Sequence, residues 1–145
     1  MKDILSTFKF RGDAALAAVF KKDFKTSYKA NFKTTKFDAS IPIPLSPERL
    51  YERGFNQAKL LADILPLPQL EVLERTHHEK QSKKSRQERL TSSNVFSITD
   101  RSIIEGKNIL LIDDIYTTGA TLRHAAKRLK DSGAASIYSF TLIRS

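Results

Sequence analysis

The residues best suited to do chemistry lie together in Asp113-Asp114-Ile115-Tyr116-Thr117-Thr118-Gly119-Ala120-Thr121. Two adjacent carboxylates can accept hydrogen bonds from a sugar's hydroxyls or help hold a divalent cation. They cannot bind a phosphate directly. Three threonines add hydroxyl donors, and Gly119 lets the backbone come close to an anion. A ligand carrying a phosphate, a vicinal diol and a metal fits all three features. Left unused, paired acids at the end of a buried strand would be costly.

The elements that must position these groups flank them. Ile109-Leu110-Leu111-Ile112 is an unbroken run of branched apolar residues. Such a run reads as a strand buried on both faces, as in a parallel sheet. After the loop the period changes. Leu122, Ala125, Ala126 and Leu129 share one face of a helix, and Gly133 supplies its stop. Strand, polar loop and helix in this order place free N–H groups at the C-terminal edge of a sheet, where anions bind.

This stretch resembles the phosphoribosyl-pyrophosphate (PRPP) motif of the type I phosphoribosyltransferases: hydrophobic residues, two acids, then a Thr/Gly loop. The resemblance implies an α/β fold, Rossmann-like, with a central parallel sheet flanked by helices and a flexible flap. It implies that Thr117, Thr118, Gly119, Ala120 and Thr121 wrap the 5′-phosphate. Asp113 and Asp114 would hold the ribose 2′- and 3′-hydroxyls, touching a metal only indirectly.

A second stretch, Ile41-Pro-Ile-Pro-Leu-Ser-Pro-Glu-Arg-Leu-Tyr-Glu-Arg-Gly-Phe-Asn-Gln57, is similar to the ComF family, a phosphoribosyltransferase-like branch tied to natural transformation. So are Lys9-Phe10-Arg11-Gly12-Asp13 and Gln81-Ser82-Lys83-Lys84-Ser85-Arg86, with Arg89 and Asn94. Many members of that family carry an N-terminal four-cysteine zinc module. It is absent here, so the chain is expected to be a truncated or a naturally short form. By its place after the first strand, Ser46 to Gly54 is expected to form a pyrophosphate loop. Arg49 and Arg53 would be its phosphate ligands, because guanidinium forks suit bidentate oxyanions. Gly54 permits a tight turn, and Asn56 and Gln57 read as caps of the next helix.

Composition sets the outer bounds. The 145 residues suggest one domain, and 40% apolar content suffices for a single core. Mean hydropathy is −0.37, and no apolar run has the length of a membrane span. The segment Met1-Lys2-Asp3-Ile4-Leu5 lacks the pattern of a signal peptide. The chain contains no cysteine, which excludes disulfides and thiolate zinc sites. A cytoplasmic protein is the expectation. Its net charge of +9 biases it toward phosphates, nucleotides or nucleic acid. Lysines crowd the first quarter, and a second basic group runs from Arg75 to Arg89.

Taken in order, Ile4, Leu5 and Phe8 suggest a short helix ending at Gly12, and a longer one should begin near Ala14. Leu16, Phe20, Phe24, Tyr28 and Phe32 recur every fourth residue, an aromatic stripe that reads as core or interface. Phe37 onward reads as a strand that ends near Ile43, since Pro42 and Pro44 cannot donate to a ladder. Ser46-Pro47-Glu48-Arg49 reads as a turn. A helix carries Ala58, Leu61, Ala62 and Leu65, and Pro66 and Pro68 stop it. Leu70–Leu73 is a second strand. Arg75–Phe96 has few apolar residues and no sustained period. The resemblance makes it a mobile flap, in which Gln81, Lys83, Lys84, Arg86 and Arg89 approach the pyrophosphate. His77 and His78 read as its surface. Val95–Ile98 is a brief strand, and Ile137–Ile143 is the last one.

The chemistry implied is displacement of pyrophosphate from C1 of PRPP, with Mg²⁺ and arginines stabilising the departing charge. No catalytic residue is assigned. In the 6-oxopurine subgroup the first loop residue is an acid. Thr117 stands there and cannot take a base's proton, so hypoxanthine and guanine are not the expected substrates. Two other readings remain open. The fold could bind PRPP or a nucleotide without turnover, or its basic surface could bind single-stranded DNA. Partners are accordingly PRPP, single-stranded DNA or competence-machinery proteins, and a second copy in a homodimer.

Overall fold

The structure is a computed structural model, and it describes residues 16–75 and 95–144. The expected first helix, the Lys9–Asp13 motif, His77, His78 and the flap residues Gln81, Lys83, Lys84, Arg86 and Arg89 lie outside the described residues.

The strand expected from the apolar run is β4 (Asn108–Tyr116), the centre of a parallel sheet. β1 (Ala39–Pro42) lies on one side, with Ala39 opposite Ile109 and Pro42 opposite Ile112. β5 (Ser136–Arg144) lies on the other, in register from Asn108–Ser136 to Tyr116–Arg144. Beyond β1 the sheet continues as one parallel bridge, Ser40 to Gln69. Ser40 N donates to the Pro68 carbonyl and Leu70 N to the Ser40 carbonyl, at 2.8 and 2.9 Å. Pro42 closes β1 without loss, because Ile43 N still donates to the Ile112 carbonyl at 2.9 Å.

Residues 109–112 are apolar throughout because both faces are covered. Ile109 and Leu111 pack with Ile41, Phe96 and Leu122, Ala125 and Leu129 of α4 (Ala120–Asp131). Leu110 and Ile112 pack on the opposite face with Phe24 of α1 (Leu16–Asn31) and Leu61, Ala62 and Leu65 from α3 (Gln57–Ile64) and its C-terminal end. Of the aromatic stripe, expected as core or interface, Phe20 and Phe24 are buried, and Tyr28 and Phe32 pack partly buried against the cluster of Phe24. Phe24 stacks on Phe140 at 4.6 Å, and Phe32 meets Phe37 edge-on at 5.2 Å. Phe140 and Leu142 face this cluster and Ile137 the other, which follows the alternation of the last strand.

Three local expectations are corrected. Residues 47–53 are not a turn but the two-turn helix α2 (Pro47–Arg53). Ser46 Oγ accepts from Arg49 N, Pro47 occupies the first turn, and Gly54 ends the helix at φ 77°. Serine, then proline, then an acid is the signature of a helix start as much as of a turn. The strand expected at Leu70–Leu73 is displaced. The hydrogen bonds of the Pro68 carbonyl and Leu70 N go to β1, so the ladder begins later, as β2 (Leu73–Arg75). It pairs antiparallel with β3 (Phe96–Ile98), Arg75 opposite Phe96. Finally, β4 does not end at the acids. β5 carries the ladder on to Tyr116 after β1 has stopped at Pro42. The carboxylates therefore sit where β4 has lost one neighbour and kept the other.

Candidate functional site

The step left by β1 opens a cleft of about 290 Å³ at the C-terminal edge of the sheet. Asp113, Asp114, Thr117 and Thr121 line it from the β4 side, and Arg49 and Arg53 from α2. Arg75, Asn56 and Gln57 complete the wall. A larger hollow of about 560 Å³ adjoins it across Pro44, Leu45 and Asn56. It is lined by Leu50, Phe55, Leu60 and Leu73 together with Lys59, Asp63, Glu71 and Glu74, and it holds neither carboxylate of β4. The groups able to do chemistry converge in the smaller cleft.

Each wall has a physical cause. Asn56 pins the start of α3 to the end of β1: its Nδ2 donates to the Ile43 carbonyl at 3.1 Å, and its Oδ1 accepts from Ala58 N at 2.9 Å. Arg53 Nη1 donates to Gln57 Oε1 at 3.3 Å. Arg75 is fixed from β2. Its Nε donates to the Pro44 carbonyl at 2.8 Å, and its guanidinium lies 5.3 Å above the Phe96 ring. Burial and the nearby Arg49 lower its pKa.

The acids are unequal. Asp114 N donates to Asp113 Oδ1 at 2.9 Å. Burial first, and then the neighbouring Asp114 carboxylate, push Asp113 up to about 7, against the smaller opposing pull of the Asp114 N–H and Arg75. The pair suits Mg²⁺ held largely by ligand oxygens and water, a mode that needs only one or two carboxylates. Among the described residues no cluster of three or more metal-binding side chains exists to hold a bare ion.

The threonine loop is divided. Thr117 and Thr121 face the cleft, whereas Thr118, Gly119 and Ala120 are not on its wall. Thr118 Oγ1 accepts from Ala120 N at 3.3 Å. Gly119 begins α4 at φ 76°, and a Cβ there would stand 2.6 Å from Tyr116 Oη. The tyrosine crowds this glycine in the structure. Gly54 is likewise off the wall, where it serves the left-handed end of α2.

Sequence reasoning missed two wall residues. Arg75 read as the first charge of the flap, yet it ends a strand. Its place after Leu73 and Glu74, in apolar–polar alternation, was the available signal. Gln57 read as a cap; the cap is Asn56, while Gln57 is 2% exposed. Nothing in the sequence marks a buried glutamine.

Comparison with known proteins agrees with this architecture. The family model described as "Phosphoribosyl transferase domain" matches residues 50–145. Competence protein ComFC of Bacillus subtilis (strain 168) is 53% identical over 146 residues, covering 100% of this chain and 60% of that protein. Competence protein ComFC of Streptococcus pneumoniae is 41% identical over 144 residues, covering 99% of this chain and 63% of that protein. This chain therefore spans about three fifths of the length of either relative. In fold it is similar to adenine phosphoribosyltransferase from Saccharomyces cerevisiae, with a TM-score of 0.56 at 19% identity, over 94% of this chain and 72% of that one.

Proposed function

The chain belongs to the phosphoribosyl transferase domain family, and from that premise we propose that it acts as a single domain whose cleft binds PRPP and transfers its phosphoribosyl group with release of pyrophosphate. The observation that supports this most is the meeting of both charges in one cleft. Arg49, Arg53 and Arg75 line it together with Asp113 and Asp114. PRPP has that polarity: a pyrophosphate at C1 and a diol beside it. The 5′-phosphate belongs with Thr117, Thr121 and the N-terminal amides of α4. The diol belongs with the carboxylates, which accept its hydroxyl protons.

In this arrangement the protein works by placement and charge. The arginines draw the leaving oxygens away from C1 and stabilise the charge that grows on them. Mg²⁺, when bound with the ligand, neutralises pyrophosphate. Asp113, raised to about 7 by burial and by the neighbouring Asp114, would be held as the carboxylate by the hydrogen bonds of a diol. The acceptor enters opposite the arginines. Calorimetry with PRPP, with and without Mg²⁺, is the direct test. Micromolar, Mg²⁺-dependent binding supports the proposal, and its absence sinks it. Turnover of labelled PRPP then separates a transferase from a binding module.

A second reading has its own observation. Lys21, Lys22, Lys25 and Lys29 line one exposed stripe of α1, and the relatives bear the name of competence proteins. Such a stripe suits the phosphates of single-stranded DNA. Binding of a labelled oligonucleotide that weakens steeply with salt, and more so in a Lys→Gln stripe variant, would support it.

A further inference from the structure

Gln57 is an anomaly that the fold does not explain. It is the first residue of α3 and is 2% exposed. Its neighbour Asn56 performs the capping. Arginine is a donor only, so the contact with Arg53 Nη1 fixes the amide: Oε1 faces the guanidinium and Nε2 faces away. That Nε2 is buried and meets no acceptor. A buried amide donor without an acceptor is costly, and an apolar residue of the same size would remove the cost. Yet Gln57 lines the same cleft as Arg53, Arg75 and the carboxylates.

The neighbouring helix adds a second fact. α2 has no buried residue; Tyr51 is 91% exposed and Leu50 44%. Arg53 thus rides on a helix that the core does not hold, and Gln57, rooted in the core, is tied to its side chain.

We infer that Gln57 belongs to the anion-binding machinery of the cleft: its Oε1 positions the Arg53 guanidinium, and its Nε2 is kept unpaired to donate to an oxygen of the pyrophosphate group that Arg53 binds. The ligand, in drawing α2 and Arg53 inward, brings that oxygen to the amide. The apo state bears the unpaired donor, and binding relieves it. The assignment of the anion as pyrophosphate rests on the function proposed above.

The test uses the whole chain and two probes, inorganic pyrophosphate and ribose 5-phosphate, titrated calorimetrically. Gln57→Leu removes both the tie and the unpaired donor. Gln57→Glu keeps an acceptor for Arg53 but has no donor to offer when ionised. Both variants are expected to bind pyrophosphate at least tenfold more weakly and ribose 5-phosphate unchanged. Gln57→Leu is expected to melt no lower than the wild type. A merely structural glutamine gives another pattern: a lower melting temperature, with both probes weakened alike. That result overturns the inference, as does wild-type affinity for pyrophosphate in either variant, or no pyrophosphate binding by the wild type. Should Gln57→Leu not fold, Gln57→Glu decides alone. If the wild type binds pyrophosphate in a Gln57-dependent way but not PRPP, the proposed function fails and this inference stands. If wild type and variants bind PRPP and pyrophosphate equally, the reverse holds.

Discussion

Two connections meet at the cleft, one after β1 and one after β4, and each turns on a glycine in the left-handed region. Gly54 has φ 77° and Gly119 φ 76°. Their backbones are alike, but their surroundings are not. A Cβ on Gly54 would meet nothing within 4 Å, whereas one on Gly119 would press on Tyr116 at 2.6 Å. The first glycine is needed for conformation alone, and the second for conformation and space. The same contrast runs through the two walls. α2 carries its arginines on a helix without buried residues, while the acids of β4 follow four residues that are 0% exposed. The wall built on α2 has few buried contacts to hold it and can give, and the wall built on β4 is rooted in the core and cannot.

The largest test of that contrast removes the charge of the rigid wall. Asp113→Asn with Asp114→Asn should weaken PRPP binding by about 3–6 kcal/mol, at roughly 1.5–3 kcal/mol for each charged hydrogen bond. Calorimetry reads this, and unchanged affinity in a folded double variant would refute the ribose assignment. Next comes Gly119→Val. Left-handed strain of about 1–2 kcal/mol adds to overpacking against Tyr116 of about 1–3 kcal/mol. Thermal unfolding should show the loss, and phosphate binding should fall with it. A variant of wild-type stability would mean the tyrosine swings aside freely.

A smaller effect concerns pH. Because Asp113 is raised to about 7 in the folded protein, the folded state holds a proton that the unfolded chain, ionising near the ordinary value of about 4, has lost. Stability should therefore be highest below that ordinary value and decline as pH rises toward 7, by an amount on the order of a few kcal/mol. Asp113→Asn should remove this slope and leave the unliganded protein more stable at pH 8. Denaturant melts at pH 4, 6 and 8 would show it, and parallel curves for the two proteins would contradict it. The smallest effect is expected at the yielding wall. Gly54→Ala should cost about 1 kcal/mol, the left-handed strain alone. A loss as large as that at Gly119 would erase the distinction between the two turns.

The rigid wall was also the legible one. Ile109 to Ile112, the two acids and the helical period after Thr121 are local signals, each written in consecutive residues, and the structure turns them directly into β4 and α4. The other wall is assembled from distance. Arg75 reaches the cleft because its Nε bonds to Pro44, 31 residues away in sequence, and no local pattern encodes such a contact. Gln57 is buried by what packs around it, not by its own polarity. The helical start at Ser46-Pro47-Glu48 was ambiguous because the same residues favour turns, and packing could not decide for a helix that buries nothing. The step that exposes the acids arises from unequal strand lengths, which are set by pairing rather than by composition.

The run Ile109-Leu110-Leu111-Ile112 has one more consequence, before the sheet exists. In a newly made chain it is an uncharged, strand-forming stretch of the kind that joins to copies of itself. Asp113 and Asp114 follow it directly. Two carboxylates thus abut this apolar segment and oppose its stacking with others. The two carboxylates that line the cleft of the finished protein act as gatekeepers during its making. The double asparagine variant should refold with more aggregate at high concentration, even if the folded portion is sound, and light scattering during dilution from denaturant would record it.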